Sequence, residues 1–521
     1  MKYNKKSMTA VSTVQTHQGG MGFQLEPKLE LIALLASGIE NKYYEKESER
    51  EQRLNKLVSE IAVKDKNFVA KALIYARTKM GQRSVTHIGA VNLAKFLSGD
   101  GLGSRFFSKR DRKENKGGIV FRLDDMLEIA ACYQAKNPNT KTRKNGSPSM
   151  TLPNSIKKGF KSALEAADEY ELAKYQGKTR DISLVDICNL VHPKPSKKMV
   201  PVFKKLMNGE LKQFNTVEDK NSAAGQEVAA AIASGEMSAT EAKVALQEAK
   251  EENYAELIRN KKIGYLALLR NLRNILKNTT DKTLINDACD LLTDAKFVRN
   301  SLVFPHQIDI ALEIMLSEFG VSKMGKFATA LNTAYELAIP NLTELFTSGK
   351  TAVVFDSSGS MSASIMLSNK SRGSEAALDK AVLIAATLAK GIGADVYTFA
   401  NNCHSISYNP GDTVNTLKKH FKSSAHAGGG TYFGSIFQVL GTKYDRVFVI
   451  SDEQGADSLE RSSYSNTHIY SINLCGYGTT MFKPGNKVYR LFGYGADIYE
   501  LIKKVEVDPK AILAEIEAIQ I

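Results

Sequence analysis

The sequence predicts an α + α/β chain, in which a long array of helical hairpins is followed by a doubly wound, mostly parallel sheet. Three observations carry this. Apolar residues recur at helical spacing from about Pro27 to Phe346. The grammar then changes near residue 350 to short β-branched and aromatic runs alternating with helices. The charge is also divided between the two parts. The chain has 521 residues and a net charge of +14, yet residues 351–521 hold 16 basic and 16 acidic side chains. The whole excess therefore lies in residues 1–350, where 54 basic residues face 40 acidic ones. Domain limits of 1–350 and 351–521 follow.

In the first part, helices are expected at Leu29–Leu35, Ile61–Ala76, Leu127–Tyr133, Ile156–Tyr170, Ala223–Ala233, Ser238–Arg259, Leu266–Leu276, Ile308–Phe319 and Phe327–Leu337. Ser238-Ala239-Thr240-Glu241 fits a capping box, while Gly320 and Pro340 read as stops. No run of alternating strands interrupts this stretch. About 300 residues of helical hairpins imply a solenoid, whose repeats bury a core only by stacking. In the second part, Thr351–Phe355, Ala394–Phe399, Asp445–Ile450 and His468–Asn473 read as strands buried on both faces.

Composition excludes several classes. With 43% hydrophobic and 24% charged residues the chain is globular, and no apolar run approaches the roughly 18–20 residues of a membrane span. The basic start lacks the apolar stretch of a secretory signal, and five widely spaced cysteines suggest free thiols in a reducing cytoplasm.

Ligands of doubly wound sheets sit at the carboxyl ends of the strands. There the sequence places Asp356-Ser357-Ser358-Gly359-Ser360, then Gly428-Gly429-Gly430-Thr431 opening a helix, then Ser451-Asp452. Asp356, Ser358, Ser360, Thr431 and Asp452 are all hard oxygen donors, suited to Mg²⁺, which retains several waters and needs few protein ligands. The pattern is that of a metal-ion-dependent adhesion site, and the second part resembles a von Willebrand factor A domain. That resemblance implies direct binding by Ser358 and Ser360, with Thr431 direct or through water. Asp356 and Asp452 would then act mainly through waters. The alternative is a Ser/Gly loop capping the following helix without any ion. A nucleophilic serine would need an adjacent base, and His404, His420 and His426 stand in no triad context. An enzyme is not expected.

Positive charge gathers in the first part at Arg105–Lys116, at Lys141, Arg143, Lys144, Lys157, Lys158 and Lys161, and at Lys174, Lys178, Arg180, His192 and Lys194. Such density in about 100 residues points to a polyanion, with RNA the natural target because it offers phosphates and splayed bases together. His192, followed by Pro193-Lys194-Pro195, could instead cap a helix end. Arg270 and Arg273, three apart on one helix, could pair with Glu252 or Glu256 or line an inner wall. Tyr43 and Tyr44 read as core packing rather than base stacking.

Leu172-Ala173-Lys174-Tyr175 and Ser183-Leu184-Val185-Asp186-Ile187-Cys188-Asn189-Leu190-Val191-His192-Pro193-Lys194-Pro195 resemble the signature of the Ro autoantigen, or TROVE-domain, family. Gly19-Gly20-Met21-Gly22-Phe23, Leu35–Gly38 with Tyr43-Tyr44, and Gly264–Asn274 are similar to further family segments. A C-terminal A domain, as in Ro proteins of bacterial or phage type, completes the likeness. The resemblance implies a ring of HEAT-like repeats closed by the A domain. It implies a small noncoding Y RNA on the outer basic surface, contacted through Lys174, Lys178 and His192. Single-stranded 3′ ends of misfolded or structured RNAs would occupy the central hole, and an exoribonuclease would be a partner in RNA quality control. A monomer and no membrane partner are expected. The rival expectation is a helical scaffold whose A domain grips an acidic protein through the metal.

Overall fold

A computed structural model describes residues 13–138 (except 98, 100 and 112), 151–177, 182–211, 236–338 (except 280, 302 and 304), 348–362, 376–425 and 429–521 (except 496). Positions 225, 228, 230–232 and 234 are also described. Arg112, Lys141, Arg143, Lys144, Lys178, Arg180, Pro340 and His426 lie outside the described residues, as does most of Ala223–Ala233.

The helical part runs through α1 (Pro27–Ser37), α2 (Glu47–Thr78), α3 (Ser84–Ala94), α4 (Leu102–Phe106), α5 (Asp124–Lys136), α6 (Asn154–Glu165), α7 (Glu169–Tyr175), α8 (Leu184–Val191) and α9 (Val200–Asn208). It continues through α10 (Ala239–Arg259), α11 (Tyr265–Asn278), α12 (Lys282–Leu292), α13 (Ala295–Ser301), α14 (Pro305–Met324) and α15 (Lys326–Ala338). Each helix packs mainly on near neighbours in the chain: α1 on α2, α2 on α3, α3 on α5, α6 on α8, α11 on α14, α14 on α15. That is the stacking a solenoid requires. The Ser238 capping box forms, with Ser238 Oγ accepting from the Glu241 N–H and the Glu241 carboxylate accepting from the Ser238 N–H.

Gly320 interrupts the helical run: at φ 69° and ψ 166° it is non-helical and separates a longer segment of α14 from a short one that ends at Met324. A residue with no Cβ takes that conformation without strain. One expectation needs correction. The helical part contains a small two-stranded element, β3 (Arg110–Asp111) with β4 (Lys116–Gly117). It consumes much of the charge of Arg105–Lys116. Arg110 is buried and donates to the carbonyls of Asn115, Gly117 and Gln520, while Lys109 pairs with Glu171 and Lys116 with Glu114.

The second part is a six-stranded sheet of order β11 (Val488–Phe492), β9 (His468–Asn473), β8 (Arg446–Ser451), β5 (Thr351–Asp356), β6 (Asp395–Phe399), β7 (Cys403–Ile406). Pairings are parallel except β6 with β7. Every residue of β5 is buried, as expected of a central strand covered on both faces. Val353 and Phe355 share one core with helix α17 (Ala377–Ile392), and Ala352 and Val354 share another with Phe433 and Ile436. Helices on both faces make this a Rossmann-like, doubly wound domain.

Both ends of the helical array close on this domain. At one end Arg50, fully buried, donates to the Cys475 carbonyl (3.1 Å), and Arg53 donates to the Gly476 carbonyl (2.7 Å). At the other end α15 meets α18 (Val414–Ser424), where the Val414 N–H donates to Glu336 (3.0 Å) and Lys418 pairs with Asp309 and Glu313. The array is thus a ring sealed by the α/β domain. A further hairpin, β1 (Thr13–Gln15) and β2 (Met21–Gln24), adds edge to edge onto β10 (Thr479–Thr480). Among the described residues no helix is long and apolar enough to cross a membrane, and the five cysteines are free thiols.

Candidate cation site and nucleic-acid interface

The carboxyl ends of β5 and β8 hold the acidic loops side by side. After β5, the Asp356 carboxylate turns back to accept the Ser358 N–H (2.8 Å), which sets the tight loop leading into a short helix at Gly359–Ser362. Ser358 Oγ lies 3.3 Å from Ser360 Oγ. After β8, Asp452 Oδ1 accepts the Gln454 N–H (3.0 Å), and Ser360 hydrogen-bonds to the same carboxyl. The Thr431 carbonyl accepts the Ala456 N–H (2.7 Å), which ties the third loop to the second. All five expected ligands converge and are buried.

The donor set fits a hard divalent cation. Asp356 Oδ2 and Asp452 Oδ2 are buried without a hydrogen-bond partner. Burial and the neighbouring Asp452 charge push the Asp356 carboxyl well above the usual range. Burial pushes Asp452 up to about 6, against hydrogen bonds from Ser360 and Gln454 that pull it down. Two facing carboxylates with orphaned oxygens are what a bound positive charge would relieve. Among the described residues no group of three or more His, Cys, Asp or Glu could hold a metal, so the hydroxyl-rich arrangement at this sheet edge is of a different kind. Glu453, also buried, turns away to the Met481 N–H and the Ser471 hydroxyl. His404 and His420 belong to no triad there. The His420 ring contacts the Ser407 carbonyl.

Two neighbours of the site have no counterpart among the expected residues. Gln18, in the turn between β1 and β2, hydrogen-bonds to both the hydroxyl and the N–H of Thr431. Tyr44 is half-buried, with its hydroxyl toward Ser360, Gln18 and Asp452. Tyr43 beside it is exposed.

The basic residues that are described form a surface on α6, α7 and the loop after α8. Lys158 is exposed near the start of α6, with Lys157 and Lys161 half-buried beside it. Lys174 is exposed near the end of α7, its ammonium over the Tyr170 and Tyr175 rings at 5.3 and 5.7 Å. His192 is the left-handed C-cap of α8 (φ 47°), its N–H donating to the Cys188 carbonyl (2.9 Å), yet its ring is exposed. Capping and exposure thus coexist at His192. The Lys194 N–H donates to Glu165 at the end of α6 (2.7 Å), which fixes this loop against that helix. Lys158 also lines a cavity of about 730 Å³ with Lys95 and Lys136.

Arg270 and Arg273 border a groove of about 330 Å³ floored by Leu266, Leu269, Ile310 and Ile314, between α11 and α14. Arg273 pairs with Glu318 (3.6 Å) rather than with Glu252 or Glu256, because α14 packs on this face of α11.

Residues 23–244 match the TROVE domain family model. Among solved structures, the Deinococcus radiodurans Ro (RSR) protein superposes with a TM-score of 0.57 at 16% identity, over 92% of this chain and 100% of that one. No curated protein matches the chain by sequence. The matched segment contains α6 to α9, the helices that carry the basic surface. The chain thus carries a segment similar to the TROVE domain within a helical ring closed by a Rossmann-like domain, and its fold as a whole is similar to that of the Deinococcus radiodurans Ro protein.

Proposed function

We propose that the protein is a ribonucleoprotein subunit without catalytic activity of its own, acting in RNA quality control or processing. A small structured noncoding RNA of the Y type would lie on the outer surface formed by Lys157, Lys158, Lys161, Lys174, His192 and Lys194. Single-stranded 3′ ends of misfolded RNAs would enter the ring, where the Arg270–Arg273 groove offers cationic heads over an apolar floor for unstacked bases. An exoribonuclease would act on the strand so presented. The protein would work as a monomer, since the ring closes on its own two ends, and in the cytoplasm, where its free thiols would stay reduced.

The observation that carries this reading is positive charge without counter-charge. Among the described residues, no ion pair engages Lys158, Lys174 or Lys194, although the chain pairs lysines freely elsewhere, as at Lys109, Lys136 and Lys418. Unpaired cations on one family-matched segment favour phosphates. In the A domain, Mg²⁺ would be held by Ser358, Ser360 and Thr431, with Asp356 and Asp452 behind. There it would supply fixed positive charge and no chemistry on the RNA.

A fluorescence-anisotropy titration with a hairpin RNA bearing a single-stranded 3′ tail tests the proposal. Binding is expected at low salt, falling by about tenfold or more with a fourfold rise in salt, as phosphate-dominated binding does. No binding at micromolar protein and low salt would end it.

A further inference from the structure

An adhesion-type cation site works on outside partners by leaving its hydroxyl face open, so that a foreign carboxylate can complete the ion's surroundings. In this chain that face is covered. Gln18 clasps Thr431 through both functions of its carboxamide: Nε2 donates to Thr431 Oγ1 (2.8 Å), and Oε1 accepts from the Thr431 N–H (3.1 Å). The turn is pinned on either side. The Thr16 hydroxyl donates to the Gly455 carbonyl (2.5 Å), the His17 N–H to Gln454 Oε1 (3.0 Å), and the Gly20 N–H to the Gly455 carbonyl (3.2 Å). A Cβ at Gly20 would stand 2.2 Å from the Asp457 carbonyl oxygen, so glycine alone permits this approach.

The other half of the cover comes from the helical part. The His17 ring stacks on Tyr44 with centroids 4.9 Å apart and planes 5° from parallel, and Tyr44 meets Tyr477 edge-on at 5.6 Å. That stack holds the Tyr44 hydroxyl toward Ser360 and Gln18. Two of the three hydroxyl ligands, Thr431 and Ser360, are therefore each met by a neutral hydrogen-bonding group from outside the A domain. A neutral cover suits a site that already holds two buried carboxylates, because a third negative charge would have to be desolvated beside them.

We propose that Gln18 and Tyr44 complete the cation site from within the chain, making it a closed clamp that fastens the N-terminal hairpin and the helical ring to the A domain and leaves no position for an outside carboxylate. The inference rests on the reading of the Asp356, Ser358, Ser360, Thr431 and Asp452 cluster as a divalent-cation site. Ion binding and hairpin docking are then linked, so each strengthens the other by the same factor.

The test uses the full chain with Mn²⁺ as probe, followed by water-proton relaxation enhancement and by hydrogen exchange of residues 13–24. Wild type should bind Mn²⁺ with little enhancement, and the ion should slow exchange in the hairpin by about tenfold. Gln18→Ala and, separately, Tyr44→Phe should still bind Mn²⁺ but show about twice the enhancement or more, and glutarate should lower it only in these variants. Mn²⁺ bound to wild type with enhancement equal to that of both variants, and hairpin exchange unmoved, would overturn the clamp while leaving the cation site standing. Failure of wild type and both variants to bind Mn²⁺, indistinguishable from Asp356→Ala, would overturn the cation reading and the clamp together.

Discussion

Lys418, in the α/β domain, forms an ion pair with Asp309 on α14 of the helical part, and both side chains are buried, at 3% and 1% exposure. Glu313 accepts from the same ammonium (2.9 Å). Burial works against the charged lysine, but Asp309 and Glu313 outweigh it and hold its pKa above the ordinary value. The pair is a seam of the ring closure.

Lys418→Met alone is expected to destabilise the chain by about 3–5 kcal/mol, because it strands a buried carboxylate. Adding Asp309→Leu should recover most of that loss. Denaturation of the full chain by urea distinguishes the cases. Equal stability of the single and double variants would show that the pair is not the seam.

Asp125, on α5, anchors the packing of α2 and α3 through Arg77 and His87. Burial alone would raise its pKa, yet a hydrogen bond with His87 and the charge of Arg77 overcome this and pull it well below the usual carboxylate range. Its oxygens also accept the N–H groups of Phe121 and Arg122. A carboxylate depressed on folding contributes stability that is present above its unfolded pKa, near 3.9, and lost as pH falls below it. Asp125→Asn should therefore flatten the acid limb of the stability curve below about pH 4, and should cost about 3–5 kcal/mol at pH 7 by leaving Arg77 without its counter-charge. Acid titration of melting temperature reads both.

Gly159→Ala would normally favour helix α6 by about 1 kcal/mol. Here the added Cβ would lie 2.4 Å from Phe107 Cβ and 2.6 Å from its carbonyl carbon. Overpacking of this kind costs about 1–3 kcal/mol, so a net loss of stability is expected. A raised melting temperature would contradict the close approach of α6 to Phe107.

Replacing Lys158, Lys174 and Lys194 by glutamine together should lower RNA affinity and reduce the slope of log affinity against log salt by about 2–3, each lost phosphate contact removing about 0.7–0.9. An unchanged slope would move the RNA elsewhere on the surface.

Asp356→Ala should abolish Mn²⁺ binding while leaving RNA affinity within about twofold, since the proposed phosphate contacts lie in the helical part. Calorimetry with Mn²⁺ and anisotropy with RNA, run on the same preparation, check the separation. Loss of both would join the two sites.

Much of the architecture was legible because it is local. Val353 and Phe355 alternate with Ala352 and Val354, and the run ends in Asp356-Ser357-Ser358, so strand and acidic loop can be read from adjacent residues. The same holds for the capping box at Ser238. Gln18 and Tyr44 could not be found this way. Gln18 meets a threonine 413 residues away, and nothing in His17-Gln18-Gly19-Gly20 announces which edge the hairpin will join. Tyr44 reads as core packing and does pack against the core, but its stack on His17 and the approach of its hydroxyl to the site depend on a hairpin that Tyr43-Tyr44 does not announce. The Arg105–Lys116 cluster misled for a related reason. Charge counts along a sequence do not reveal that Arg110 points inward at three carbonyls.

The edge pairing of β2 with β10 sets a timetable for biosynthesis. Gln24 leaves the ribosome 454 residues before its partner at Gly478, which at about 5–20 residues per second is a wait of roughly 20–90 s. Throughout that interval the first hairpin has no strand to join and the arch of helices is unlatched, so the ring can close only after the sheet of the α/β domain has been made.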